Sequence, residues 1–522
     1  MSIAEAIRMG KTALGIELGS TRIKAVLIGE DHTVLANGSF SWENRLENNL
    51  WTYHLDDAVR GLQESFADLA GDVMRQYGVE LTTVGAIGIS GMMHGYLVFD
   101  KNMKLLTPFR TWRNTTTETA AKKLSSLFNF NIPQRWSIAH LYQAILNNEA
   151  HVPEIAHITT LSGYIHYLLT GKHEIGVSEG SGMFPFIGRD FDGEKLDMFD
   201  ELIADKGFTW KIRDILPKVR LCNDSGTVLS EEGAHFLDLS GELSFGISVC
   251  APEGDAGTGM IATNSISPKT GNISAGTSVF SLLVLEKPLS RMYPEIDVVL
   301  TPDAHPAALI HSNNGCSELD AWVKVFGEFA SLLGTNTDIS KLYKLLYENA
   351  LTGDADCGEV VSYNCLASEP VSGIERGKPI IFRTKNSRLS LANFFRSQLY
   401  ATIAPLKIGM DMLKENENIS ADGFTAHGGL FKVTGVAQQL LSNTLNTPIS
   451  VSKTAGEGGA WGMALLAAYS LKGSSLPLSK WLDKEVFKNV ETFILHPEAE
   501  KADGFDKFFS LYKSGLSALN EF

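Results

Sequence analysis

The sequence predicts an α/β protein built from two related lobes. Three observations carry that expectation. The chain has 522 residues, room for two to four domains at about 100–200 residues each. Its first half alternates strand-like and helix-like stretches. A hairpin with a turn of small hydroxyl residues occurs twice, about half a chain apart.

The elements follow in order. Ala13–Ile16 and Ile23–Ile28 read as strands around the turn Gly19-Ser20-Thr21, with Glu17 before it and Lys24 after it. Backbone N–H groups and hydroxyls in such a turn can cradle a phosphate, the acid can help hold a divalent cation, and the lysine adds positive charge. Many turns of this composition bind nothing, so the turn alone leaves both readings open. Val59, Leu62, Phe66, Leu69 and Val73 recur at helical spacing and predict a helix over 55–77. Val84–Ile89 reads as a short buried strand ending at Ser90-Gly91, and helices are expected over 117–128, 140–147 and 160–169. Ile247–Asp255 reads as a strand closing on a glycine-rich turn, which places Asp255 exposed at a strand tip. The small-residue stretch Ala256–Thr263 follows, and the lobe boundary is set near residue 262. The second lobe opens with Asn272–Leu285, in which Gly276-Thr277-Ser278 repeats the first turn. A long helix around 391–413, a strand Phe424–Ala426 stopping at His427-Gly428-Gly429, and a small-residue helix Gly458–Ser470 complete it.

Composition bounds the function. Hydrophobic residues make up 44% and charged residues 20%, enough apolar content for a full core in each half. The net charge of −15 disfavours nucleic acid and anionic membranes as partners. No run of 18 apolar residues suggests a membrane span, and Met1–Lys11 lacks the apolar stretch of a secretory signal. Cys222, Cys250, Cys316, Cys357 and Cys365 show no CxxC spacing, which points to free thiols and a cytoplasmic setting.

Two further segments carry chemistry. An Asp at a strand end, as in Gly254-Asp255-Ala256-Gly257, can take a proton from a substrate hydroxyl that attacks a phosphoryl group; it can equally be a turn-former accepting its own backbone N–H groups. In Ser90-Gly91-Met92-Met93-His94-Gly95, His94 can exchange hydrogen bonds with sugar hydroxyls, or serve only its loop. There is no GxxxxGK[ST] loop, Gly171-Lys172-His173 failing at its last position, and no GxGxxG, HExxH or GxSxG pattern.

Taken in order, these segments resemble the FGGY family of carbohydrate kinases, most closely its xylulokinase-like members. The family's opening Gly-Ile-Asp-x-Gly-Thr-x-x-x-Lys/Arg stands here as Gly15-Ile16-Glu17-Leu18-Gly19-Ser20-Thr21-Arg22-Ile23-Lys24. The loop Ser-Gly-Gln-Met-His-Gly stands as Ser90 to Gly95, the tryptophan segment as Trp112-Arg113-Asn114, and Ser-Asp-Ala-Ser-Gly as Ser178-Glu179-Gly180-Ser181-Gly182. Gly-Gly-Gly-Asp is matched by Pro252-Glu253-Gly254-Asp255, the second Gly-Thr-Ser by Gly276-Thr277-Ser278, and the C-terminal glycine strand end by His427-Gly428-Gly429 with Phe431 and Lys432 after it.

The resemblance implies a two-lobed actin-like fold, each lobe with a ribonuclease-H-like core, in which a sugar and MgATP meet in a cleft that closes on them. The implied N-terminal lobe, 1–262, holds the sugar, the first phosphate turn and the base; the C-terminal lobe, 263–522, holds the second turn and the adenine site. Asp255 is the implied general base. Ser20, Thr21, Lys24, Gly276, Thr277 and Ser278 would surround the phosphates, and Gly428, Gly429, Phe431 and Lys432 would serve the nucleotide. Glu17 would stand in the shell of Mg²⁺. Met93, His94, Trp112, Asn114, Glu179 and Asp255 would shape the sugar pocket. The chain departs from the pattern: Glu17, Asn114 and Glu179 each replace an Asp, Met92 replaces a Gln, and Ala256 replaces an Asn. These changes bear on the sugar more than on the reaction.

The expected function is therefore an ATP-dependent kinase of a small sugar, with xylulose or ribulose first. A hexulose, deoxysugar, polyol or gluconate kinase is the alternative within the family, and a sugar-independent ATPase or regulator is the alternative outside it. A homodimer is compatible with the resemblance, although the sequence shows no interface.

Overall fold

A computed structural model describes residues 1–335, 337–452, 458–472 and 476–521. The chain forms two compact units: Met1–Ile266 with Val299–Pro306 and Glu457–Asn489, and Ser267–Val298 with Ala307–Gly456 and Val490–Phe522. The first break, after Ile266, lies close to the expected 262. The expected single division at that point is corrected, because residues 299–306 and 457–489 pack with the first unit.

In the first unit the strands run Val34–Ser41, Arg22–Ile28, Ala13–Leu18, Ala86–Gly91 and Ser248–Val249 across one sheet. The first three are antiparallel neighbours, and Ala86–Gly91 lies parallel to Ala13–Leu18. The helix Leu55–Tyr77 falls where its periodicity predicts. Leu62, Phe66, Leu69 and Val73 join Leu14, Ile16, Ile23, Ala25 and Leu27 in one buried cluster. Gly78, at φ 63°, ends that helix in the left-handed conformation glycine favours.

The second unit repeats the plan. Pro306–Ser312, Val279–Val284, Thr270–Ala275, Gly423–His427 and Ile449–Ser452 are neighbours in that order. Thr270–Ala275 again pairs antiparallel within a hairpin and parallel with the strand beyond, Gly423–His427. The doubled turn in the sequence thus marks a doubled topology. It also makes His427-Gly428-Gly429 the counterpart of Ser90-Gly91-Met92.

One predicted element differs. Ile247–Asp255 is not a continuous strand: Ser248–Val249 and Glu253–Gly254 both pair with Ala86–Gly91, with a break between them. Pro252 lies in that break and has no N–H for the ladder. Asp255 is the first residue of the helix Asp255–Ala262, not a turn residue. The small residues of that helix let it approach the helix Gly458–Leu471; a Cβ on Gly462 would lie 2.1 Å from the Thr258 carbonyl oxygen.

Candidate active site

The carboxyl ends of three parallel strands in the first unit gather the acidic residues. Register places Glu17 beside Ser90, Leu18 beside Gly91, Glu253 beside Ser90, and Gly254 beside Gly91. Open α/β sheets present ligands at such ends. Asp255 leaves its strand and opens a helix, whose N-terminal N–H groups favour an anion. Its Oδ1 accepts hydrogen bonds from the N–H groups of Met93 (3.3 Å) and Ala256 (2.9 Å). Burial pushes its carboxyl up to about 6, with these N–H bonds pulling the other way.

Glu17 is pushed up to about 7, by burial first and then by the charge of Asp255, against the pull of Lys24 and the Ala460 N–H. Lys24 is its cross-strand partner. The longer side chain of Glu17 finds its room at glycine: a Cβ on Gly459 would lie 2.2 Å from Glu17 Oε1.

Two more acids stand behind them, both fully buried. Glu253 Oε2 accepts the Glu179 N–H at 3.1 Å, and burial pushes its carboxyl up to about 8. Burial raises Glu179 well above the usual carboxylate range, with the charges of Asp255 and Glu253 adding to the effect. Burial thus favours the protonated form of both more strongly than it does that of Asp255. Sequence reading did not single out Glu253, although it stands inside the motif quoted for Asp255. An acid two residues before a functional Asp, with no cation nearby in sequence, is the available signal.

Among the described residues, no three His, Cys, Asp or Glu side chains converge to hold a metal by themselves. Mg²⁺ takes one or two carboxylates together with substrate phosphates and waters. Glu17 beside Asp255 is a donor set of that kind.

The neighbouring loop orders several of the expected sugar residues. His94 is buried at φ 70°, its Nδ1 is 3.0 Å from the Gly182 carbonyl oxygen, and its ring stacks on Trp136. Met93 is buried beside Asp255, and a Cβ on Gly254 would lie 2.2 Å from both Met93 Cγ and Glu179 Oε2. Trp112 is 38% exposed, next to Arg113, whose guanidinium lies 3.7 Å from the Trp51 ring centroid.

Two readings from the sequence change. Asn114 donates both amide hydrogens, to the Trp51 and Thr111 carbonyls, and accepts the Trp51 N–H. It braces its loop, and neither N–H is left for a sugar. The Met92 side chain lies in the hydrophobic cluster of the unit, so the missing Gln at this position is a change within the core.

The first turn presents Ser20 and Thr21 to solvent, with Lys24 half-buried beside Glu17. Its three carbonyls face the protein. The Gly19 oxygen accepts Trp42 Nε1–H at 2.7 Å, the Ser20 oxygen accepts the Tyr53 hydroxyl at 2.6 Å, and the Thr21 oxygen accepts the Trp42 backbone N–H at 3.2 Å.

In the second unit the turn Gly276–Ser278 is held differently. Its Gly276 and Thr277 carbonyls accept the backbone N–H groups of Cys316 (2.8 Å) and Gly315 (2.9 Å). The loop carrying those donors is fixed by buried Glu369, which accepts from Ser312 Oγ, the Asn314 N–H and Asn314 Nδ2. Gly428 sits at φ 104°, and a Cβ there would lie 2.4 Å from the Ala275 carbonyl oxygen, so only glycine fits. Gly428, Gly429 and Lys432 are exposed. Phe431 is corrected: it is 8% exposed and belongs to the hydrophobic core of this unit, so its ring is not presented to a ligand.

Comparison with known proteins names the class. Residues 12–237 match the N-terminal domain, and residues 271–471 the C-terminal domain, of the FGGY family of carbohydrate kinases. The chain belongs to that family and is a sugar kinase, a phosphotransferase. It is 23% identical over 466 residues to the xylulose kinase of Haemophilus influenzae, covering 84% of this chain and 85% of that protein. A ligand-bound xylulose kinase from Lactobacillus acidophilus superposes with a TM-score of 0.79 at 17% identity, over 97% of this chain and 98% of that one. The gluconate kinase of the same organism gives 0.79 at 18% identity, over 98% of each chain. These likenesses establish the two-domain actin-like fold, with its ribonuclease-H-like cores. No described helix is long and apolar enough to cross a membrane.

Proposed function

We propose that this chain transfers the γ-phosphoryl group of MgATP to a hydroxyl of a ketopentose, xylulose or ribulose, with Asp255 as general base. The observation that carries the reading is the placement of Asp255: a carboxylate at a strand end and helix start, held by two backbone N–H groups and close enough to Glu17 for their charges to interact. The similarity to a xylulose kinase over most of both chains supports the ketopentose.

Asp255 accepts the hydroxyl proton as the oxygen forms a bond to the γ-phosphorus. The bond from that phosphorus to the bridging oxygen breaks in line, and ADP leaves. The Ser20 and Thr21 N–H groups and hydroxyls, with Lys24, hold the phosphates of the first turn. Gly276, Thr277, Ser278, Gly428 and Gly429 do so in the second unit, with Lys432 nearby. Glu17 is the residue that would hold Mg²⁺, which when bound neutralises phosphate charge. Met93, His94, Trp112 and Glu179 shape the acceptor pocket.

Coupled ADP release, with MgATP against ketopentoses, hexuloses, polyols and aldonates, tests the reading. The expected result is release driven by one ketopentose, and a loss of about 10²–10⁴-fold in Asp255→Ala. A response to gluconate alone moves the substrate and keeps the reaction. Steady hydrolysis indifferent to every acceptor sinks the sugar-transfer reading, and near-normal Asp255→Ala turnover removes the base.

A further inference from the structure

The first turn shows an arrangement that the family match does not assign. A trans peptide sets its N–H and C=O on opposite sides. When the Gly19 and Ser20 carbonyls are drawn into the protein, the N–H groups of Ser20 and Thr21 face outward. Among the described residues neither N–H has a protein acceptor. Successive outward N–H groups form a concavity for an anion.

The two side chains that draw the carbonyls inward are core residues. Trp42 and Tyr53 are 6% and 2% exposed. Their rings stack with centroids 4.3 Å apart and an interplanar angle of 29°. Both belong to the buried cluster that holds the sheet against the Leu55–Tyr77 helix. Each therefore ties an exposed loop to the rigid centre of the unit. Burial also pushes the Tyr53 hydroxyl up to about 12, so it remains a donor throughout the neutral range.

We propose that Trp42 and Tyr53 are positioning residues for phosphate binding: their Nε1–H and O–H fix the Gly19 and Ser20 peptides so that the Ser20 and Thr21 N–H groups aim at the polyphosphate of the nucleotide. The proposal rests on the kinase reading above. Neither side chain touches the ligand; they act through the turn. The sequence hides this, because a Trp and a Tyr in a β-rich stretch read as ordinary core.

Tyr53→Phe keeps the ring and removes only the donor. Binding of MgATP, inorganic tripolyphosphate and adenosine is measured by calorimetry for wild type and Tyr53→Phe, beside thermal melting and the acceptor KM. Trp42→Phe is the second variant, removing the Nε1–H while retaining an aromatic ring. The expected result is about 3- to 10-fold weaker MgATP and tripolyphosphate binding in each variant, with adenosine affinity and acceptor KM unchanged. A packing role alone would lower the melting temperature without separating polyphosphate from adenosine. Equal polyphosphate affinity in folded wild type and Tyr53→Phe overturns the proposal and leaves the kinase reading standing. A wild-type protein that binds neither MgATP nor tripolyphosphate removes both.

Discussion

The two phosphate-type turns have the same place in the same topology, yet they are held by different chemistry. The turn Gly19–Thr21 hangs from two aromatic side chains, Trp42 and Tyr53, with the Trp42 backbone N–H on the Thr21 carbonyl and the Gly19 N–H on the Arg22 carbonyl beside them. The turn Gly276–Ser278 is held by the backbone N–H groups of Gly315 and Cys316. A side-chain donor can be deleted by one substitution; a main-chain donor can only be displaced. The first turn is therefore open to graded mutation. The second is vulnerable only through what fixes its loop, Glu369 and Asn314, or through close contacts such as Gly428.

Of the two turns, the first should show the larger effect. Lys24→Ala should cost about 10²–10³-fold in turnover, the scale of losing one charge-stabilising donor, while leaving the acceptor KM nearly unchanged. A large loss of acceptor binding in steady-state kinetics would mean that this turn does not serve the phosphates. Gly428→Ala comes next. A strained backbone of this kind costs about 1–3 kcal/mol, and the clash with Ala275 pushes on the second hairpin. A roughly 10-fold or greater rise in the KM for ATP is expected, and an unchanged KM would break the equivalence of the two turns.

Glu369→Ala sharpens the comparison. It removes the one oxygen that accepts from Ser312 Oγ and from the N–H and Nδ2 of Asn314, deprives those buried donors of their shared acceptor, and should cost about 1–3 kcal/mol of stability, read by urea unfolding, with a smaller rise in the KM for ATP. If the variant unfolds like wild type, the second turn is held by its main chain without help from Glu369. The mildest effect comes with pH and separates the base from both turns. Asp255 is raised to about 6, and the deprotonated form accepts the proton. The kcat/KM for the acceptor should therefore fall about tenfold per pH unit below 6, while the affinity for adenosine, which carries no phosphate and needs no Mg²⁺, stays flat from pH 7 to 5.5. A profile without that fall would mean a different base.

Much of the fold was legible because its signals are local. The Leu55–Tyr77 helix follows from apolar spacing alone, and the two hairpins from β-prone runs around small-residue turns. Where the sequence misled, a property of the surrounding sheet or core decided. Asp255 looked like a turn residue, because Gly-Asp-Ala-Gly has poor helix propensity; close packing of the Asp255–Ala262 and Gly458–Leu471 helices overrides it, and small residues are what such packing requires. Asn114 and Phe431 were placed by motif, but their hydrogen bonds and burial show a brace and a core residue.

The sequence by itself determined the alternation of elements, the duplicated hairpin and the residues able to do phosphoryl chemistry, since these depend on short-range pattern and side-chain type. Only the tertiary structure decided which carboxyls burial pushes upward, how each turn is held, and that residues 457–489 return to the first unit. Those outcomes depend on burial and on donors and acceptors far apart in the chain: Glu17 meets Gly459, Gly254 meets Glu179, and Tyr53 meets Ser20 only once the sheet has formed.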